Sequence, residues 1–470
     1  ICYMQHTLDL QLKEATAYAH KRGIMLKGDI PIGISRRSVD AWSNPKLFNF
    51  DGQAGAPPDF FSVNGQNWGF PTYNWDEMAK DGYAWWRRRL TKMNEYFDAY
   101  RIDHILGFFR IWEIPRSAVH GIMGHFRPAL PLTEQELFNH GIVIDYKAAC
   151  IPQTDADTID KLFGAQAVKV KKQYLEMLPS GLYTLKAEYA TQRQIYDKVV
   201  GHKAPELLTD NARKLLDGLM TIAADVILLP DGNNGNYFPR INWQQTTSYK
   251  RLPANLQHSV DALYTDFFYN RHNQFWEQLA TVKLSALTNS TNMLVCGEDL
   301  GMIPACVNPV MKRLGIMSLE IERMPKTFSE FADLSSIPYT SICATSTHDT
   351  STLRGWWEEN REQTQRYYNN NLHHSGEAPV KADTRICRDI IERHLASPAM
   401  CVMIPIQDYM ALSNELRADN PEQERINIPA NPRNYWKYRM HIDINKMQKT
   451  SSLNGAIKQM LSSCNRLSEK

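Results

Sequence analysis

A chain of 470 residues, 43% hydrophobic and 22% charged, has the composition of an ordinary globular protein, long enough to bury one large core or two smaller ones. Its 53 Lys and Arg against 51 Asp and Glu give a formal net charge of +2, so nothing in the balance calls for nucleic acid or an anionic membrane as partner. The one dense basic run, Arg87-Arg88-Arg89, points three ways on a helix and reads as a solvated face. Eight cysteines are scattered without a Cys-x-x-Cys pair, several of them (Cys296, Cys343, Cys401) inside apolar runs. They read as small buried hydrophobes in a reducing, cytoplasmic compartment rather than as disulfides or a zinc site. No apolar run approaches the length of a membrane span. The chain opens on Ile1, with neither an initiator Met nor a secretory signal, as expected of a processed chain or one that starts in mid-protein.

Taken in order, residues 8–22 predict a helix with Leu8, Leu12, Ala15 and Ala19 on one face and Gly23 ending it. Ile24 to Gly33 reads as a strand running into a loop, with Asp29 near its end. From Ser35 to Tyr83 there is little periodicity but much aromatic content, centred on Pro57-Pro58-Asp59-Phe60-Phe61-Ser62 and Gly65-Gln66-Asn67-Trp68-Gly69. Long loops in compact domains are usually functional, and exposed rings suit stacking on a flat apolar ligand face such as a sugar's. The commoner fate of any one such ring is to fold onto its own scaffold. Trp86, Leu90, Met93, Phe97 and Tyr100 then recur on one helical face. A short apolar strand closes on Asp103, between Arg101 and His104, with a turn expected at Gly107. Asp103 itself reads equally as a loop cap paired with Arg101 or as a catalytic acid at a strand's end.

Residues 116–265 carry no chemical motif. Helical patterns through Leu185, Tyr189, Tyr196 and Val199, and around Leu215 to Leu219, mark them as an inserted, mainly helical subdomain. A helix with Phe268, Phe275, Leu279, Val282 and Ala286 leads to a strand ending in Gly297-Glu298-Asp299. Further apolar runs close on Glu320 and Glu322, on His348-Asp349, and on Asp408. Six strands end in acids, and five of the six are separated by helices without a clear hairpin signal, which implies a parallel α/β sheet. No Gly-x-Gly-x-x-Gly or Walker loop follows any of them, which argues against a nucleotide-binding sheet. The expected fold is a (β/α)8 TIM-type barrel lacking its first two strands, which would lie ahead of Ile1. Residues 1–115 and 266–470 form its two parts, and 116–265 the insertion.

Several carboxylates around an aromatic-lined pit suit glycoside chemistry, in which one ionised acid attacks or stabilises the anomeric carbon and a protonated one serves the leaving oxygen. Divalent-metal hydrolysis is the rival, but no His-x-His or His-Glu-x-x-His spacing is present; no metal and no cofactor are expected.

Seven motifs occur in register: Lys27-Gly28-Asp29-Ile30-Pro31-Ile32, Pro57 to Ser62, Gly65 to Gly69, Arg101-Ile102-Asp103-His104, Gly297-Glu298-Asp299-Leu300-Gly301, Thr347-His348-Asp349 and Arg425-Ile426-Asn427-Ile428-Pro429. Together they resemble the 4-α-glucanotransferases, the amylomaltase or disproportionating-enzyme family, over nearly the whole chain apart from the insertion. The resemblance implies Asp103 as nucleophile, Glu298 as acid/base and Asp349 as the acid that binds the donor sugar. It implies Asp29, Arg101, His104, His348 and Asn427 as substrate-binding residues around them, with Phe60, Phe61, Gln66 and Trp68 on the acceptor side. Implied substrates are maltose, maltooligosaccharides and glycogen- or starch-like glucans. Thr347 to Trp357 and the long separation of Asp103 from Glu298 resemble the maltose-using branch, whose first barrel strands and starch-binding modules precede this point. The family's donor-site aromatic is expected there too. An α-glucan hydrolase and an inactive glucan-binding fragment are the alternatives, and the oligomeric state is left open.

Overall fold

The computed structural model describes residues 1–467 apart from 60–61, 202–204, 233, 430 and 432–433. Its organising element is a set of parallel strands: β1 (Lys27–Ile30), β2 (Ala99–Ile102), β3 (Leu294–Gly297), β4 (Ser318–Ile321), β5 (Ser341–Ala344) and β6 (Cys401–Met403). β1 pairs with β2, β2 with β3, β4 with β5 and β5 with β6, all parallel. A bridge between Cys296 and Met317, with backbone bonds of 2.9 Å on either side, joins β3 to β4. The six strands therefore lie side by side in chain order, their carboxyl ends at one edge, in an α/β fold. Helices Ala84–Met93, Asn273–Thr288, Val307–Arg313 and Thr384–Leu395 lie between them in sequence.

Strand alternation explains what each side chain does. In β2, Tyr100 and Ile102 are buried and pack with Ile30, Leu90, Trp86, Phe108 and Leu284 in the main core. Arg101 and, two residues on, Asp103 face the other way. The register sets Asp29 opposite Arg101 on one side and Cys296 opposite it on the other. One rung further along that register, Glu298 stands beside Asp103 on the same face.

Several local expectations are corrected. The apolar face read from Trp86 to Tyr100 belongs to two elements: the helix ends at Met93, and Tyr100 is already in β2. A 3.6-residue period ran by coincidence across a helix end into a strand. Gly107 makes no turn; it lies in the one-turn helix Leu106–Phe109, where a Cβ would meet Ile32 Cδ1 at 2.7 Å, so it serves close packing. Val282 is exposed, and the helix Asn273–Thr288 buries Trp276, Ala280, Lys283, Leu284 and Leu287 instead.

The aperiodic stretch from 35 to 83 is also more ordered than its sequence suggests. Strands Gln66–Asn67, Gly52–Ala56, Ile111–Pro115 and His125–Arg127 form an antiparallel sheet in that order. Two-residue strands are too short to leave a periodic signal.

In the region 116–265, helices Ala156–Phe163, Gln192–Val199 and Asp210–Ala223 share a separate core of Ile159, Phe163, Ile195 and Leu219. Short antiparallel pairs accompany them: Leu175–Met177 with Tyr183–Leu185, and Leu228–Pro230 with Asn236–Pro239. Leu185 thus lies in a strand, not in the helix expected through it. The flanks of the region, through Leu132, Ile142, Val226 and Trp243, pack into the main core. No described helix is long and apolar enough to cross a membrane.

Candidate active site

At the carboxyl edge of β1, β2 and β3, the strand register assembles charge. Arg101 Nη1 lies 3.0 Å from both carboxylate oxygens of Asp29 and 2.8 Å from Asp103 Oδ1. The second Asp103 oxygen accepts the Ile32 backbone N–H at 3.3 Å. Burial raises the Asp103 pKa, while Arg101 and the Ile32 amide oppose the rise. Arg101, largely enclosed, is held charged by Asp103 and Asp29 against the burial that would discharge it.

Glu298 follows β3 with its amide bonded to the Ile102 carbonyl at 2.9 Å, an extension of the β2–β3 ladder. Its Oε2 accepts the His104 backbone N–H at 2.8 Å. His104 takes the left-handed conformation, φ +44°, uncommon for a residue with a side chain and typical of functional sites. Burial first, then repulsion from Asp103 and Asp349, pushes the Glu298 carboxyl up to about 8; Arg101 and the His104 amide only partly counter this. Glu298 is thus a carboxylic acid at neutral pH beside an arginine-held partner. The His104 ring, buried and near Arg110 and Arg101, is driven down to about 3 and is neutral.

Trp68 meets the His104 ring edge-on at 5.1 Å between centroids, and its indole N–H donates to Gln66 Oε1 at 3.0 Å. The antiparallel sheet therefore delivers Gln66 and Trp68 to the rim of the pit. Phe60 and Phe61, expected on the same loop, lie outside the described residues.

Beyond β5, His348 Nε2 lies 3.1 Å from Asp349 Oδ2, and the Asn427 amide donates to Asp349 Oδ1 at 2.7 Å. Burial would raise the Asp349 pKa, but His348, Asn427 and Arg101 outweigh it and leave it below the usual value. The His348 ring is correspondingly raised, by its bond to Asp349. Asp349 acts electrostatically on both Asp103 and Glu298, which places it in the same cluster.

The other strand-end acids do not join that cluster. Asp299 is fully buried, accepting the Leu319 amide at 2.9 Å and Lys326 Nζ at 2.7 Å. Lys326 also holds Glu320. Glu322 bonds Tyr367, Asn371 and Arg393. Asp408 accepts from Thr345, Ser346 and the Leu353 amide. Asp225, inside the region 116–265, accepts the Thr247 and Ser248 amides. An acid at a strand's end is a signal of position, and half of those signals mark structural anchors.

Residues missed at the sequence level come from the C-terminal segment. Trp436 lies against His348 with centroids 5.1 Å apart, and Asn434 bonds Asn427. An exposed Trp on an aromatic-basic stretch was the available signal. Arg323 holds the loop beyond Asp349 through Thr350 and Ser351, with nothing in its sequence context to mark it. Among the described residues no group of three or more His, Cys, Asp or Glu is placed to hold a metal ion.

Fold and site together define an α/β protein with a cluster of carboxylates at the carboxyl edge of its parallel strands. The sequence profile of the 4-alpha-glucanotransferases matches residues 1–445, and the chain belongs to this family. It is 40% identical over 466 residues to the 4-alpha-glucanotransferase DPE2 of Oryza sativa subsp. japonica, covering 99% of this chain and 49% of that protein. It is 24% identical to a 4-alpha-glucanotransferase of Chlamydia pneumoniae, covering 98% and 60%. Among solved structures it resembles an amylomaltase from Streptococcus agalactiae in complex with acarbose, with a TM-score of 0.56 and 18% identity, over 97% of this chain and 61% of that one. That likeness is one of fold. The chain spans about half to three-fifths of the length of these relatives.

Proposed function

We propose that this chain carries the catalytic centre of a 4-α-glucanotransferase, which moves a glucosyl or maltooligosyl unit from an α-1,4-glucan donor, maltose in the first place, to the 4-hydroxyl of a glycogen- or starch-like acceptor. Asp103 attacks the anomeric carbon and forms a β-glycosyl enzyme, displacing the leaving sugar. Glu298 gives its proton to the departing oxygen and then takes one from the incoming 4-hydroxyl. Two inversions return the α-configuration. Asp349, His348 and Asn427 hold the donor sugar, with Asp29 and Arg101 alongside, and Gln66 and Trp68 meet the acceptor. Transfer outruns hydrolysis to the extent that a sugar hydroxyl is better oriented than water.

One observation carries this reading: adjacent strands of one parallel ladder end in Asp103, in contact with Arg101, and in Glu298, its carboxyl pushed up to about 8. Burial raises both carboxyls and Arg101 opposes the rise on both; direct contact of Arg101 with Asp103 and the repulsion of Asp103 and Asp349 on Glu298 favour Glu298 as the one that keeps its proton.

In this reading β1 to β6 are six strands of a (β/α)8 barrel. β1 and β6 are its open edges among the described residues, and the separate helical core around Ile159 and Ile195 belongs to the inserted subdomain within 116–265. The test is glucose release from maltose with and without added glycogen. Acceptor-stimulated release that falls to background in Asp103→Asn is the expected outcome. Release that glycogen does not stimulate would identify a hydrolase, and glucan binding without turnover a binding protein.

A further inference from the structure

In the segment that follows the sheet, residues 425–429 and 434–436 lie across the Asp349 side of the site. Its contacts form a directed chain. The Asn427 backbone N–H donates to the His348 carbonyl at 3.1 Å, pinning the segment to the loop that carries Asp349. Asn427 Oδ1 accepts two N–H groups, from the Ile428 backbone at 2.9 Å and from Asn434 Nδ2 at 3.0 Å. Asn434 Nδ2 also donates to the Ile426 carbonyl at 3.2 Å.

Backbone groups fix both amide orientations. The Ile426 carbonyl can only accept, so the nitrogen of Asn434 must face it; the Ile428 N–H can only donate, so the oxygen of Asn427 must face that. With its oxygen committed twice, Asn427 has only its NH2 to offer Asp349. The other Asp349 oxygen faces His348 Nε2, itself packed against Trp436. A proton on Asp349 Oδ1 would oppose the Asn427 NH2 that points at it.

We propose that Asn434 is a positioning residue for the reaction: by adding a second donor to the Asn427 oxygen that the Ile428 N–H already orients, it holds the Asn427 NH2 on Asp349 Oδ1, and so helps keep that carboxylate ionised within a crowd of acids. The inference rests on the functional reading above for its consequence, and on the hydrogen-bond chain for its geometry. The charged groups around Asp349 are His348 on its own loop, Arg101 on β2, and Asp103 and Glu298 beyond β2 and β3. Asp29 lies behind Arg101 on β1, and Arg425, paired with Glu359, reaches the Asn427 carbonyl at 3.3 Å. Arg323 holds Thr350 and Ser351 next in the chain. Two of the site's acids repel an ionised Asp349, so the state needs an anchor, and the strap supplies one from outside the sheet.

The test reads Asp349 directly, because Asp103, whose carboxyl burial raises, also contributes to the acid limb of a rate profile. The full chain, labelled with 13C at the aspartate carboxyl carbons, is titrated by NMR, the Asp349 signal being assigned by its loss in Asp349→Asn. In the unsubstituted protein the midpoint is expected below the ordinary carboxylate range. Asn434→Leu, which keeps the shape and removes the donor, is expected to raise it by about one pH unit. Asn427→Leu should raise it at least as far, and the double variant no further than Asn427→Leu alone, since the second residue acts through the first. An unmoved midpoint in Asn434→Leu, or a double variant whose shift is the sum of the two, overturns the proposal. Should Asn434→Leu not fold, by circular dichroism, Asn434→Ala is read in its place. Absence of glucosyl transfer in the unsubstituted chain would refute the functional reading alone, since the titration needs no turnover.

Discussion

At the scale of single residues, the site depends on how closely one guanidinium meets each of two buried acids. Arg101 contacts Asp103 directly at 2.8 Å; on Glu298 it and one backbone amide only partly counter burial and the repulsion of two neighbouring carboxylates. The consequence is a pH profile with an assignable basic limb. In the proposed reaction Glu298 is protonated for the first half, so kcat/KM should fall as pH rises through about 8. Glu298→Gln keeps the shape, can neither give a proton to the departing oxygen nor take one from the incoming hydroxyl, and should lower transfer by roughly 10²–10⁴-fold while removing that limb. Stopped assays of maltose turnover between pH 5 and 10 check both. A limb that persists in Glu298→Gln would assign the ionisation elsewhere.

At the scale of elements, the proposed chemistry and the proposed acceptor contacts rest on different sheets. The parallel strands carry the acids, and the antiparallel sheet carries Gln66 and Trp68. Gly55 couples that sheet internally, because a Cβ there would lie 2.0 Å from the Gln66 backbone oxygen, which cannot move without breaking the pairing of Gly55 with Asn67. Gly55→Ala should therefore peel the strand Gln66–Asn67 away and loosen Trp68, whose amide bonds the Ala54 carbonyl at 3.0 Å. The expected signature is a higher half-saturation for acceptor and more hydrolysis per transfer, at a stability loss of about 1–3 kcal/mol. Equal losses with every acceptor, and no change in the ratio of transfer to hydrolysis, would separate this sheet from the acceptor.

For the whole molecule, one buried charge ties global stability to pH. Lys283 is buried on the helix Asn273–Thr288, its Nζ donating to the Phe108 carbonyl at 3.0 Å and lying 4.7 Å from the Trp75 ring centroid. Burial pulls it down to about 7, while in the unfolded chain it keeps a value near 10.5. Between these values the unfolded state binds the extra proton, so stability rises with pH across that window, and the full penalty is present below it. Lys283→Met should be the more stable protein at pH 6, by about 1–3 kcal/mol in urea unfolding. Its advantage should shrink steadily from pH 7 to 10; a constant difference would show that Lys283 does not titrate there.

The sequence by itself determined the α/β alternation, the six apolar runs that become strands, and the family, because burial on both faces of a parallel strand writes a run of hydrophobic residues that no other element needs. It also placed Asp29, Asp103, Glu298 and Asp349 near strand ends. It did not decide which strand-end acids meet. Asp299 and Glu298 are adjacent in sequence, yet alternation turns one into the packing under β4 and the other into the pit. Asp408 looked no different from Asp103, and only the neighbouring Thr345, Ser346 and Leu353 amide made it an anchor. The clamp of Asn427 and Asn434 on Asp349 was equally out of reach, since amide orientation is fixed by donors and acceptors brought from distant parts of the chain. Local pattern records burial; partnership between polar groups is long-range, and only the folded chain supplies it.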